Sequence, residues 1–237
     1  MGQVMSENGI DRMVIIGIIG TPAGGKSTVA RRLREHGATW INADRIAHRV
    51  LQSRSVVEQI AARFGPQMLT REGRIDRARL AEVVFGDDAN QREGLRYLES
   101  VIHPATRRRV LRRLTTAGRY EVVAAVLDAP LLLEADWGVL CDAVWCVDAS
   151  EEQRQQWIAS RGWTLSELRR RERRQMPIQE KRRLSTSVIE NDSDLVDLIA
   201  QTDKLWDQLM DRVRACVPDG RYFDPSHCLQ NSSSNPT

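Results

Sequence analysis

Lysine is nearly missing from this chain: Lys26, Lys181 and Lys204 are its only three, so arginine supplies almost all of the 35 basic residues. Long apolar runs are missing too. The longest, Met13 to Gly20, spans eight residues, and Asp128, Glu134 and Asp136 interrupt the one around Pro130. Neither approaches the roughly 18 residues of a membrane span. The first twelve residues are polar and mixed in charge, without the basic start, apolar centre and small-residue cleavage site of a secretory signal, so a cytoplasmic location is expected. The four cysteines, Cys141, Cys146, Cys216 and Cys228, have spacings that give neither paired zinc ligands nor a redox C-x-x-C. They read as reduced bystanders.

What remains is ordinary globular composition. With 41% hydrophobic and 28% charged residues, the 237-residue chain can bury a core and lies far from the regime of disorder. Its length suits one α/β domain with a helical insertion as well as it suits two domains.

The most informative segment follows the first apolar run. Val14 to Ile19 leads directly into Gly20-Thr21-Pro22-Ala23-Gly24-Gly25-Lys26-Ser27, a G-x-x-x-x-G-K-S loop. Thr28 then opens a segment in which Val29, Ala30 and Leu33 share one helical face and Gly37 supplies a stop. A backbone that wraps a phosphate needs glycines, which bring N–H groups close with no side chain between. In such a loop the lysine reaches the β- and γ-phosphates, the following hydroxyl serves Mg²⁺, and the helix N-terminus favours anions. Gly20, Ala23, Gly24, Gly25, Lys26, Ser27 and Thr28 are therefore the candidate phosphate-binding residues, the ATP-binding ones in a kinase, although the loop alone also covers GTPases, ATPases and sulfotransferase-like folds.

Further along, a short strand from Thr39 to Asn42 delivers Asn42 and Asp44 to the sheet end where ligands bind. Residues 44–117 carry helix-like patterns, including Leu95 to Leu114 with a break at Pro104, and read as a helical insertion. The apolar run from Glu121 to Leu127 closes on Asp128, the candidate metal-binding carboxylate, and Ala143 to Asp148 gives another strand. Alternating strands and helices imply a parallel sheet. Residues 161–183 are the most cationic stretch and suggest a lid over phosphates, although pairs such as Glu167 with Arg171 also fit a solvated helix face. Little aromatic interleaving accompanies these arginines beyond Trp163, so a nucleic-acid surface is not the expected use. A strand and a closing helix fill 188–217, and the polar segment 218–237 reads as a disordered tail.

The ordered set G-T-P-A-G-G-K-S-T, I-N-A-D at 41–44, R-I-D-R-A-R-L at 74–80, I-H-P at 102–104, Pro130-Leu-Leu-Leu-Glu134 and Val188-Ile-Glu-Asn191 resembles the dephospho-coenzyme A kinase family. The resemblance covers residues 14–210. It implies a P-loop NTPase-like fold: a five-stranded parallel α/β core (13–43, 118–160 and 184–217) with flanking helices, a helical substrate-binding insertion (44–117) and an arginine-rich lid (161–183), preceded by a flexible segment 1–12. It further implies transfer of the γ-phosphoryl of ATP, with Mg²⁺, to the ribose 3′-hydroxyl of dephospho-coenzyme A.

By that resemblance Lys26, Asp44 and Arg161 are catalytic. Asp44 orients the attacking hydroxyl, Arg77 and His103 bind the acceptor, and Ser27 and Asp128 hold the metal. The residues alone leave alternatives: Asp44 also fits a helix N-cap, His103 a partly buried backbone-bonding histidine, Arg77 a surface helix, and Asp128 a strand end. Ala23 stands where the family has a loop glycine, Asn42 where it has an acid, His48 where it has arginine, Arg154 where it has glutamine, Trp157 where it has arginine, and Thr186 where it has aspartate. The expected partners are ATP and dephospho-coenzyme A, with neither membrane nor nucleic acid, and the expected state is a monomer or weak homo-oligomer. Rival readings are another small-molecule or nucleotide kinase, or a nucleotide-binding protein without turnover.

Overall fold

A computed structural model describes residues 13–86, 88–120, 122–159 and 162–216. The expectations for 1–12 and 218–237, and the catalytic assignment of Arg161, fall on residues outside that set.

Five parallel strands form one sheet: β1 (Val14–Gly20), β2 (Thr39–Asn42), β3 (Ala124–Asp128), β4 (Ala143–Asp148) and β5 (Ser187–Glu190). Their order is β2-β3-β1-β4-β5, so β1 lies in the middle. Every residue of β1 is buried, as a central parallel strand covered on both faces requires. Its register runs from Val14 opposite Ala124 to Ile18 opposite Asp128 on one side, and from Ile16 opposite Ala143 to Gly20 opposite Val147 on the other. Thr186 ties the far edge of the sheet together. Its hydroxyl donates to the Val144 carbonyl at 3.0 Å and accepts the Val144 N–H at 3.1 Å, so this departure from the family aspartate has a use in strand pairing.

Two compact units are separable: Ala43–Arg113, and the remainder. In the sheet-bearing unit, α1 (Lys26–Glu35) and α9 (Leu195–Cys216) contribute Val29, Leu33, Trp206 and Met210 to a core shared with Val14, Ile16, Val126 and Trp145. Each large aliphatic side chain so buried contributes about 1.5–3 kcal/mol. Cys141 and Cys146 are free thiols; burial pushes the first up to about 12 and the second to about 11, so both stay protonated.

The other unit contains α2 (Ala43–Leu51), α3 (Arg54–Phe64), α4 (Arg77–Val84) and most of α5 (Ala89–Arg119). Asp76 caps α4 by accepting the N–H groups of Ala78 and Arg79 at 3.0 and 3.2 Å. Gln52 seals the turn before it, donating to the Ile75 carbonyl at 3.1 Å and accepting its N–H at 3.0 Å.

Two expectations need correction. The helix does not break at Pro104, because α5 continues through it. Proline removes the bond to the carbonyl four residues earlier, which belongs to Ser100. Both residues are exposed, so water can take that bond and the cost stays low. The third strand starts at Ala124 instead of Glu121; Glu121 itself lies outside the described residues, and Val122 and Val123 precede the paired register.

Candidate active site

The loop between β1 and α1 is held open by its own backbone. Thr21 N–H donates to the Val147 carbonyl at 3.2 Å, which anchors the loop to β4, and Gly24 N–H donates to the Thr21 carbonyl at 3.1 Å. Gly20 and Gly25 have φ of 135° and 102°; a Cβ on Gly20 would stand 1.8 Å from the Val147 oxygen, and one on Gly25 would stand 2.4 Å from Asn191 Nδ2. No other residue fits either place. Asn191, at the end of β5, donates to the Gly24 carbonyl at 3.1 Å and braces the loop from the side.

Among the described residues, the N–H groups of Ala23, Gly25 and Ser27 take no acceptor, and the buried Thr21 hydroxyl has none. Donors left open at the start of a helix fit phosphate oxygens. Lys26 Nζ donates to the carbonyls of Gly20 and Thr21, at 3.2 and 2.5 Å, so the charge is already held within the loop. Thr28 lies in the first turn of α1, and its N–H donates to the Gly25 carbonyl at 2.8 Å.

Ala23 has φ 62°, the left-handed region in which its methyl is not free of cost. The strain is about 1 kcal/mol. The methyl is buried with Ile158 and Leu168, and Trp163 packs on the same cluster. Burying a methyl returns about 0.8 kcal/mol, so the departure from glycine is nearly balanced.

Two concavities flank the loop. One, of about 260 Å³, is bordered by Gly20, Thr21, Pro22, Arg154, Gln175 and Lys181; the other, of about 380 Å³, by Gly25, Thr28, Gln153, Trp157, Asn191 and Leu195. The first presents Lys181 and Arg154, the latter paired with Glu172 on the same wall, and its cationic side next to the loop suits phosphates. The second combines a half-buried indole, an aliphatic wall and amides, which suits a flat heterocycle with polar edges.

Lys181 and Arg154 were not among the sequence-selected site residues. Lys181 is 2% exposed, donates to Gln175 Oε1 at 2.6 Å and reaches the Gly20 carbonyl at 3.4 Å. Burial lowers its pKa, while Glu134, 4.0 Å away, works in the opposite direction. Arg154 is buried on α6 (Glu151–Ala159), donates to the Ala149 carbonyl at 3.0 Å and pairs with Glu172 at the end of α7 (Leu165–Glu172). In the sequence Lys181 is marked as a rare residue type in an arginine-rich stretch and, with Gln175, as part of the lid that resembles the family's; its burial is not.

Asp128 ends β3, is buried, and accepts Asn42 Nδ2 at 2.7 Å and Trp40 Nε1 at 3.3 Å through one oxygen. Asn42 thus replaces what would be a second carboxylate against Asp128 with a donor. No group of three or more His, Cys, Asp or Glu able to cage a metal occurs among the described residues. A hydroxyl and a carboxylate near a phosphate loop instead match Mg²⁺, which keeps its waters and binds through one or two protein oxygens plus phosphate.

In the helical unit, Asp44 is exposed in the first turn of α2, inside the helix, so it is not the N-cap residue. His48 lies one turn later, and Arg77 Nη2 stands 3.2 Å from its Nε2. Burial and then Arg77 lower the His48 pKa, against an upward pull from Asp44. The structure therefore groups Asp44, His48 and Arg77. His103 is exposed on α5 and makes no hydrogen bond or ion pair among the described residues, which removes the partly buried alternative.

A central parallel sheet, a phosphate loop leaving its middle strand and a carboxylate on the adjacent strand define a P-loop phosphotransferase. The profile of the dephospho-CoA kinase family matches residues 14–197. A dephospho-CoA kinase from Rhodopirellula baltica is 42% identical over 75% of this chain and 82% of its own length. One from Symbiobacterium thermophilum is 39% identical over 82% of this chain and 80% of its own. A crystal structure from Thermus thermophilus superposes with a TM-score of 0.69 at 36% identity, covering 84% of this chain and 98% of that one. This chain belongs to the dephospho-CoA kinase family.

Proposed function

We propose that the protein transfers the γ-phosphoryl group of ATP to the ribose 3′-hydroxyl of dephospho-coenzyme A, giving coenzyme A and ADP. The observation that carries this is the assembled loop Gly20–Ser27, with open backbone donors and Lys26 beside them, in a chain of this family. The triphosphate lies along the loop, and its oxygens take Lys26 from the Gly20 and Thr21 carbonyls. The base enters the concavity lined by Trp157 and Leu195.

Asp44 aligns the acceptor hydroxyl and takes its proton while the oxygen bonds to phosphorus and the bond to the bridging oxygen breaks; ADP leaves with that electron pair. The transition state is loose, so Asp44 contributes mainly through positioning and needs no raised basicity. Arg77 and His103 are assigned to acceptor binding within the helical insertion, and Arg161 to the transferring phosphoryl within the lid. Ser27 and Asp128 would hold Mg²⁺, which supplies neutralisation of phosphate charge. No helix among the described residues is long and apolar enough to cross a membrane. We place the enzyme in the cytoplasm as a monomer or weak homo-oligomer.

Purified protein with Mg²⁺-ATP, offered dephospho-coenzyme A, AMP, a nucleoside or a pantetheine precursor in separate reactions, tests the proposal by ADP release and product mass. Only dephospho-coenzyme A should gain 3′-phosphate; phosphorylation of another acceptor in preference, or none at all, would overturn the reading. Lys26→Ala and Asp44→Asn should each lower kcat by on the order of 10²–10⁴, with ATP affinity nearly intact in Asp44→Asn. Full activity of Asp44→Asn would remove Asp44 from its role.

A further inference from the structure

The helical unit carries a second arginine cluster, made of residues assigned no role in the phosphoryl transfer. Arg109, Arg112 and Arg113 stand at i, i+3 and i+4 on α5 and so share one side of that helix. With Arg49 of α2 they line a depression of about 150 Å³, and Ile46, 3% exposed, supplies its apolar wall. All five residues belong to the same compact unit. Among the described residues, none of the four guanidinium groups makes a hydrogen bond or an ion pair.

Four like charges around one concavity repel each other, and no carboxylate among the described residues pairs with them. Guanidinium groups present planar donor pairs that match phosphate oxygens two at a time. A single phosphate would leave part of the charge uncompensated, whereas a chain of phosphates can balance it. The lining has no aromatic residue on which a base could stack, and the arginines meet at a depression instead of following a stripe. Both features favour a compact anion over a nucleic-acid strand.

We infer that this depression is a binding site for a compact polyphosphate anion, separate in its residues from the phosphate loop. The site does not depend on the acceptor assigned to the kinase: a chain inactive on dephospho-coenzyme A would still carry it.

Inorganic triphosphate is the probe, titrated calorimetrically without Mg²⁺ at low salt. Lys26→Ala protein, with the loop lysine removed, should still show one saturable binding event that weakens steeply with added salt. Adding Arg109→Gln and Arg113→Gln to that background should weaken it at least tenfold. Arg49→Gln with Arg112→Gln should do the same, and serves if the first pair fails to fold. Loss of all saturable binding in Lys26→Ala, or unchanged affinity in a folded double variant, would overturn the inference. So would binding of a short single-stranded RNA by protein that ignores triphosphate.

Discussion

The lid and the cluster of Arg49, Arg109, Arg112 and Arg113 in the helical unit are both rich in arginine, yet their charges are in opposite condition, although elsewhere in that unit Arg54, Arg63 and Arg79 pair with Glu58, Glu93 and Asp76. Around the lid, Arg171 pairs with Glu167 at 2.8 Å, Arg183 with Glu180 at 2.6 Å, and Arg182 with both Asp148 and Glu190 at 2.9 and 2.5 Å. In the helical unit, Arg49, Arg109, Arg112 and Arg113 have no such partners among the described residues. The arginine-dense segment thus has much of its charge spoken for. A count of cations along a sequence measures neither the field at a site nor its purpose; the spacing of carboxylates three or four residues away, and those brought in by the fold, decides what is left.

The comparison is most exposed to failure at Arg154, the buried member of the lid pairings. Arg154→Met leaves Glu172 without its partner, but Glu172 is one-third exposed, which reduces the penalty below that of a fully buried pair. The expected loss is about 2 kcal/mol, seen as a fall of about 4–8 °C in Tm. Arg154→Met with Glu172→Met should recover part of it, since no charge is then stranded. An unchanged Tm in the single variant would mean the pair does not hold α7 to α6.

A paired arginine also stands outside the lid. Arg32 on α1 donates twice to Asp203 on α9, at 2.7 Å each, and His36 joins the same carboxylate at 2.7 Å. Arg32, first, and His36 hold the Asp203 carboxyl down to about 2. A depressed folded-state pKa stabilises above the unfolded value near 3.9, and that contribution is lost as pH falls from about 4 to 2. Asp203→Asn should therefore lower stability at neutral pH by about 1 kcal/mol, after allowance for solvent screening, and flatten Tm against pH across that window. A wild-type acid profile retained in Asp203→Asn would place the titration elsewhere.

Most of the core could be read from residues in sequence order. β1, β2 and β4 are apolar runs with definite ends, the loop motif fixed the strand-to-helix junction, and arginine density marked the lid; the resemblance then supplied the catalytic and acceptor assignments. What escaped depends on long-range contact or on solvent. Nothing local marks Asp203 as the partner of Arg32, 171 residues away, or Lys181 as a buried donor to Gly20, 161 residues away. Pro104 reads as a helix break because the sequence does not reveal that the carbonyl it deprives faces water. Arg154 and Thr186 were visible only as departures, and their uses emerged when Glu172 and Val144 came into contact with them.

The smallest effect is also the sharpest test of the contrast, because its sign is reversed. Arg112 and Arg113 are exposed and each faces Arg109 one turn away, so Arg112→Gln/Arg113→Gln removes two like-charge neighbours and breaks no ion pair. At low salt the double variant should be more stable than wild type by about 0.3–0.8 kcal/mol, by denaturant titration, whereas loss of a lid pair only destabilises. Added salt should close the gap, because it screens the repulsion that the variant lacks. Triphosphate should reverse the order: at about 100 times its Kd it would stabilise wild type by about 2.7 kcal/mol and leave the variant behind. A double variant less stable than wild type at low salt would show that these arginines are held by contacts that outweigh their repulsion, and the distinction between the two clusters would fail.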